Sequence, residues 1–483
     1  MHGALFEGYF YLEPLKYFTL MKRILIVLLG LLTLGCAPTS TSTILLQAEK
    51  IKNTILRPQF ADQTFSVLDY GAKGDGLTDD SQAIHQAILN CSQAGGGRVL
   101  IPAGNYLSGP IHLESNVNLH LEEGATVRFK TDPEAYLPAV HTSYEGIEIY
   151  NYSPLIYAKG KENIALTGKG VFDGQADNEH WWPWSGKDSY GHLEGTPSQH
   201  DAHNIGRLHA FNREQTPVEE RIFGRGHHLR PAFFQPFECK NILVENVTFV
   251  NAPFWIIHPL KSNNVTISGV TVRSHGPNND GCDPEYSKNV LITDCIFDTG
   301  DDCIAIKSGR NEDGRRVNIP SENIVVENCQ MKDGHGGVVM GSEISAGVKN
   351  VYVINCVMDS PNLDRAIRIK TNTLRGGFVD GVYVKNLSVG QVKEAAFKIN
   401  TYYGIYGVQE GNHLPRIENL YFEDVTVANG GKYGILIQGR AEQPAKNIHF
   451  TRVTIDSAAE APKIENAEEI HFVDSSIAGL KTP

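Results

Sequence analysis

Four aspartates crowd into one stretch of the chain, NNDGCDPEYSKNVLITDCIFDTGDDCIAIKSGR at 278–310: Asp280, Asp283, Asp301 and Asp302. Carboxyl groups in such numbers suit glycoside hydrolysis. One protonated carboxyl donates to the leaving oxygen, and an ionised one activates water or attacks the sugar. Neighbouring aspartates push each other's pKa values apart, which supplies both states. Two later pieces add to the set, Gly334-His335-Gly336 and Arg368-Ile369-Lys370. Arg and Lys bind carboxylates, Arg through a bidentate fork. Acid–base chemistry beside a cationic clamp points to a polymer of uronic acids.

These residues lie far apart in sequence, so something must bring them together. A repeated unit does so: NIALTGKGVF at 163, NILVENVTF at 241, NVTISGVTV at 264, NVLITDCIF at 289, NIVVENCQM at 323, NVYVINCVM at 350, GVYVKNLSV at 381, NLYFEDVTV at 419 and NIHFTRVTI at 447. Alternating apolar positions and β-branched residues make these strands. Short strand–turn units in tandem wind into an all-β, right-handed parallel β-helix, and the recurrent Asn suits a side-chain ladder at a turn. Residues at one register then stack about 4.8 Å apart from coil to coil. Asp280, the 301–302 pair, His335 and Arg368/Lys370 fall on successive coils and line one face. In AIRIK, Ile367 and Ile369 point inward, so Arg368 and Lys370 point outward together. By the same parity Asp301 and Lys307 point outward. Asp302 has inward parity, which a turn or bulge must correct.

Each motif alone has an ordinary explanation. An Asp pair occurs in turns, NNDGCD could be a calcium loop, GHG a tight turn, and RIK an edge strand guarded by charge. All four in order on consecutive coils do not. NND at 278–280, GDD at 300–302, GHG at 334–336 and RIK at 368–370 resemble the signature motifs of the polygalacturonase family, glycoside hydrolase family 28, over nearly everything from Phe65 onward. The resemblance implies metal-free hydrolysis of galacturonan with inversion. It implies Asp301 as general acid, Asp280 and Asp302 holding and activating water, and His335 tuning the acid. It also implies Arg368 and Lys370 on the uronate carboxylate. An inverting pair is expected about 6.5–9.5 Å apart. Lys307 and Arg310 add carboxylate contacts. Tyr402 or Tyr403, one coil beyond Arg368, is placed to stack on a sugar. The long insertion and the GDDCIAIKSGRN form resemble bacterial exo-acting members, which favours attack at chain ends over internal cutting. The alternatives are rhamnogalacturonan or xylogalacturonan hydrolysis, a calcium-dependent pectate lyase on the same fold, and a non-catalytic β-helix binder.

The rest of the chain frames this reading. It has 483 residues and a formal net charge of −12, which argues against nucleic acid as a partner. Its eight cysteines form no CxxC pair and no zinc spacing; Cys295, Cys329 and Cys356 share one context and read as buried, register-matched core. Met21-Lys22-Arg23 followed by ILIVLLGLLTLG and Cys36 reads as an export signal of lipoprotein type, with translation starting at Met21 and a lipid anchor on Cys36. That predicts a periplasmic or outer-membrane-anchored protein. Residues 37–62 read as a linker and 63–483 as the β-helix. Thr78 or Asp79 should cap a helix bearing Ala83, Ile84, Ala87, Ile88 and Cys91 on one face, which plugs the end of the solenoid. GAKGDG lacks the Lys-Ser/Thr of a phosphate loop and reads as a tight turn. Residues 173–230 break the strand rhythm; an insertion that long is usually functional. Its histidines are irregularly spaced and read as loop histidines rather than metal ligands.

Overall fold

The computed structural model describes residues 42–404 and 410–480. The signal segment and Cys36 lie outside the described residues. The chain divides at Leu46/Gln47 into two units. In the first, the described residues form the start of helix α1, Thr43–Lys52. The rest of this account concerns the second.

The second unit is a right-handed parallel β-helix. Homologous strands of successive coils pair in register, as in Val265↔Val290, Val290↔Ile324, Ile324↔Val351 and Val351↔Val382. Alternate residues point inward, and these aliphatic columns form one continuous core. Phe422, Phe450 and Phe472 extend it as a stacked file. Cys295, Cys329 and Cys356 sit at one register within it as buried free thiols.

The turns explain the recurrent Asn. Each must adopt the left-handed region, which Asn tolerates because its short amide bonds locally; φ is 55° at Asn241, 57° at Asn264 and 57° at Asn323. Their side-chain amides link coil to coil, from Asn163 to Asn116 (2.9 Å), Asn241 to Asn163 (3.0 Å), Asn264 to Asn241 (3.0 Å), Asn323 to Asn289 (3.1 Å) and Asn350 to Asn323 (3.1 Å). The ladder satisfies polar groups that the turn would otherwise strand.

Helix α2, Ser81–Gln93, buries Ala83, Ile84, Ala87, Ile88 and Cys91, the face its periodicity predicts. It packs on the first strands, Thr64–Ser66, Gly97–Ile101 and Val117–Leu121, and covers the open end of the core. Its start differs from expectation. Asp80 is the cap position, and its carboxylate accepts from the Lys73 and Gly74 amides instead. Asp79 accepts from the Ser81 amide at 3.1 Å.

The linker reading of 37–62 fails in part, because TILLQAEKIK forms α1. From Gln47 onward the helix is tied to the solenoid: the Tyr352 hydroxyl donates to Gln47 at 3.0 Å and Lys52 pairs with Glu327 at 2.8 Å. A short amphipathic run with surface partners is stable where a polar tether is not.

Candidate active site

The face that matters carries short strands in one parallel sheet: β1 (Ile304–Ile306), β2 (Val338–Gly341), β3 (Arg365–Lys370) and β4 (Ala395–Asn400). Ile304 pairs with Val338, Val338 with Ile367 and Ile367 with Phe397. Upstream the sheet continues as single bridges, Ile257↔Cys282 and Cys282↔Ile304. That register sets Asp280, Asp302 and Gly336 level on three coils, with Asp301 level with His335.

The three catalytic candidates meet as expected. Asp280, Asp301 and Asp302 each offer an oxygen within 4.8 Å of the others. This is closer than the about 6.5–9.5 Å expected of an inverting pair, so the stereochemical expectation is not met by spacing.

Asp302 lies before β1, in the turn after Gly300, and turns away from the apolar core despite its parity. Its carboxylate is fully buried, with Lys370 Nζ 2.6 Å from Oδ2 and Arg368 Nη1 3.8 Å from Oδ1. Oδ1 has no hydrogen-bond partner. Ile367 and Ile369 point inward, as predicted, and Arg368 and Lys370 share the outer face beneath the Tyr403 ring, at 5.4 and 5.3 Å. Asp301 is the most open of the three aspartates, its side chain 18% exposed. His335 Nδ1 lies 3.0 Å from its Oδ1, and the Thr299 hydroxyl donates to its backbone carbonyl.

The electrostatics separate these carboxyls, in an order the sequence did not reveal. Burial pushes Asp280 up to about 7; Lys307 opposes the rise, while Asp301 and Asp302 add to it. Burial and Asp280 drive Asp283 well above the usual carboxylate range. Asp301 also feels burial, but His335 and the lysines outweigh it and hold the carboxyl below its usual range. Asp301 in turn raises His335 to about 9. Below about pH 7, then, Asp280 and Asp283 both keep a proton, and a further one lies on the His335 side of the His335–Asp301 pair.

Other candidates are placed differently. Lys307 Nζ lies 3.2 Å from Asp280, 3.4 Å from Asp283 and 3.5 Å from Glu343, with the Trp255 ring at 4.3 Å. It lines the cleft, but three carboxylates claim its charge, so it neutralises the acids rather than waiting for a ligand. Arg310 stands outside this lining, paired with Glu145. Tyr402 is corrected to Tyr403. Adjacent residues at a strand end face opposite ways, and Tyr402 stacks on Arg440 at 4.0 Å while Tyr403 lines the cleft.

Sequence reasoning missed Glu145, Trp255 and Glu343, all in the cleft lining. Glu145 comes from an antiparallel hairpin, Val140–Tyr144 with Ile147–Asn151. Its signal was readable: Glu145-Gly146 takes φ of 46° and 80°, as a two-residue hairpin turn requires. A Cβ at Gly146 would lie 2.8 Å from the Arg310 amide nitrogen, so the turn must press close there.

The insertion also reaches the cleft. Arg230, fully buried, donates to Pro277 O at 2.6 Å and to Asn278 Oδ1 at 2.7 Å, so it holds the NND turn. Asn279 is structural: it accepts from Ser274 and the Gly276 amide and donates to Ala252 O. Trp182 donates to the same carbonyl at 2.9 Å. His203 and His228 gather with Asp201 within 4.8 Å inside the insertion, outside the cleft lining.

Three close carboxylates also describe a cation site. Here Lys370 sits on Asp302 and Lys307 on Asp280. A divalent ion would meet both ammonium groups, so the donor set fits a metal poorly.

Residues 223–476 match the Glycosyl hydrolases family 28 profile, and 64–125 match a rhamnogalacturonase A/epimerase, pectate lyase-like profile. Among solved structures, a hyperthermoactive exopolygalacturonase from Thermotoga maritima is 43% identical with a TM-score of 0.85, covering 91% of this chain and 97% of its own. A probable polygalacturonase from Vitis vinifera is 28% identical over 83% of this chain and 75% of its own length. An exo-poly-alpha-D-galacturonosidase from Dickeya chrysanthemi is 28% identical over 87% of this chain and 72% of its own. With its four motifs stacked on one face of the solenoid and the family profile spanning those coils, this chain belongs to glycosyl hydrolase family 28.

Proposed function

We propose that the protein hydrolyses α-1,4-galacturonosyl links of pectic galacturonan from chain ends. The observation that carries this reading is the column of three aspartates fused to a cationic clamp, Lys370 and Arg368 beneath Tyr403. Asp301, open to the cleft, gives the leaving oxygen the proton it shares with His335, and the C1–O bond breaks. A water held between Asp280 and Asp302 bonds to C1 from the opposite side and passes its proton to Asp302, whose free Oδ1 is the acceptor. Transfer back to the His335–Asp301 pair through solvent completes the cycle. Such attack inverts the anomeric centre. Proton NMR of the first products tests this: β-configured reducing ends are expected, and α-products would require a covalent intermediate instead.

Chain-end attack draws support from the Thermotoga relative and from an insertion whose Arg230 holds Asn278 in the cleft lining. A product time course on de-esterified polygalacturonate, with chelator and ultraviolet absorbance, is decisive. Saturated monomer from the outset is expected. A ladder of saturated oligomers would make the enzyme internal-cutting, and chelator-sensitive ultraviolet-absorbing products would make it a lyase. We further propose export and lipid anchoring at Cys36; labelling with a radioactive fatty acid should be lost in Cys36→Ser, and equal labelling of both would refute the anchor.

A further inference from the structure

A second chamber of about 220 Å³ adjoins the catalytic cleft and shares none of its lining residues. One wall comes from the insertion, whose helix α3, Arg207–Glu214, supplies His209, Asn212 and Arg213. The other comes from the catalytic coils, which supply Arg310, after β1, and Arg375, after β3. Asn212 closes the seam by donating to Arg310 O at 2.9 Å.

The chamber gathers three arginines, Arg213, Arg310 and Arg375, around one space. Arg310 and Arg375 are each 2% exposed. Arg310 pairs with Glu145 and Arg375 stands 3.8 Å from Glu343, which already serves Lys307 at 3.5 Å. Arg375 Nε and His209 Nε2 are buried without hydrogen-bond partners. The one carboxylate in the lining, Glu312, is held by Arg315 at 3.2 Å to Nε. Burial, then the neighbouring Arg310, lowers Arg375 to about 9. Burial and the three arginines push His209 down to about 3, so it stays a neutral donor or acceptor. Burying guanidinium groups together costs free energy unless an anion joins them. Glu145 and Glu343 line the catalytic cleft and pair with Arg310 and Arg375 of the chamber, so one ion-paired layer separates the two spaces.

We propose that this chamber binds the carboxylate of a galacturonate unit of the substrate, so that the insertion and the catalytic coils together read the acidic chain. Arg375 Nε, Arg213 and the His209 ring are the groups positioned to take its oxygens. The insertion would then do more than wall the cleft: it would complete a recognition site whose charge the coils supply. This rests on the galacturonan reading.

The test uses the full enzyme and trigalacturonate. Arg213→Ala removes a largely exposed side chain, 70% accessible and paired with Glu214, so the fold should be unaffected. KM should rise about tenfold, as for loss of one charge-assisted contact, with kcat within twofold. Arg213→Glu should raise KM further and Arg213→Lys should restore most of it. Arg375→Met, checked by thermal melting, should act in the same direction. Unchanged KM in Arg213→Glu and in a folded Arg375→Met would overturn the inference, while activity of the parent enzyme would leave the galacturonan reading standing. A parent enzyme that cleaves no galacturonate oligomer would overturn both, and the two failures are thus distinct.

Discussion

At the residue scale, the Asp301–His335 pair and Asp280 divide the work of holding protons. Asp301 shares its proton with His335 at 3.0 Å, whereas burial keeps a separate one on Asp280 up to about pH 7. An activated aryl leaving group needs no acid, so an aryl α-galacturonide should rescue Asp301→Asn by about a hundredfold relative to polymer and rescue Asp280→Asn little. Rescue of the Asp280 variant alone would reassign the acid. His335 titrates near 9 when paired, so kcat/KM should fall as pH rises through that value, and His335→Ala should lose this alkaline limb in a pH–rate profile. Asp280 also sets stability against activity. Its folded pKa is raised, so its contribution is fully present below the unfolded value near 3.8 and is lost as pH rises through about 7. Asp280→Asn, which mimics the protonated form, should therefore melt higher than the parent at pH 8 and gain nothing at pH 4, while activity disappears. A lower melting temperature at pH 8 would contradict the buried-charge account.

At the scale of elements, the clamp strand β3 shows how little freedom the site has. Lys370 and Arg368 reach Asp302 because alternation puts both on one side of a strand paired in register with β2. Removing Lys370 as Lys370→Met leaves a buried carboxylate short of its closest cation, which should cost about 2–5 kcal/mol in transition-state binding, about thirtyfold or more in kcat/KM; a change under tenfold would remove Lys370 from the site. This part of the site was legible in the sequence because parity and coil order are local patterns. So were helix α2, with its five inward residues, and the Asn ladder, where the same side chain recurs at the same turn. For Glu145 the hairpin turn was readable but its entry into the cleft was not, since the hairpin lies outside the repeat, and neither were Trp255 and Glu343, which approach the cleft from turns whose direction no periodicity encodes. Tyr402 and Tyr403 are neighbours, and only the strand-end geometry decides which lines the cleft. The order of protonation was illegible for another reason: His335 and Lys307 choose partners through distances that spacing does not give.

For the molecule as a whole, acid should be the weak flank. Buried carboxylates staple the long insertion and the hairpin to the coils. Glu148, in the hairpin, meets Lys261 at 2.6 Å, Arg316 at 3.0 Å and His141 at 3.0 Å, while Asp313 takes Arg221 at 2.7 Å. Burial alone would raise Glu148, but His141, Lys261 and Arg316 outweigh it and hold its pKa far below the usual range. Glu343 behaves alike: burial raises it, and Lys307, Arg375 and Arg310 bring it down. A depressed folded pKa gives stability that is complete above the unfolded value near 4.5 and lost as pH falls through the folded one. The melting temperature should therefore decline steadily from pH 5 to pH 2. The hairpin and insertion should loosen before the coils, whose core is apolar and whose own cation-held carboxylates, Glu322 and Asp424, are partly exposed rather than buried. Hydrogen exchange by mass spectrometry at pH 3 reads this directly, with early exchange expected over 140–151 and 202–222 and continued protection over 321–327 and 348–354. Uniform loss of protection across these segments would mean that the acidic staples and the solenoid unfold as a single unit, and that the chamber between them has no independent give. The order matters for catalysis, because the same staples support Glu145 beside the cleft and α3 beside Arg310. Opening them should abolish turnover at a pH where the coils remain folded.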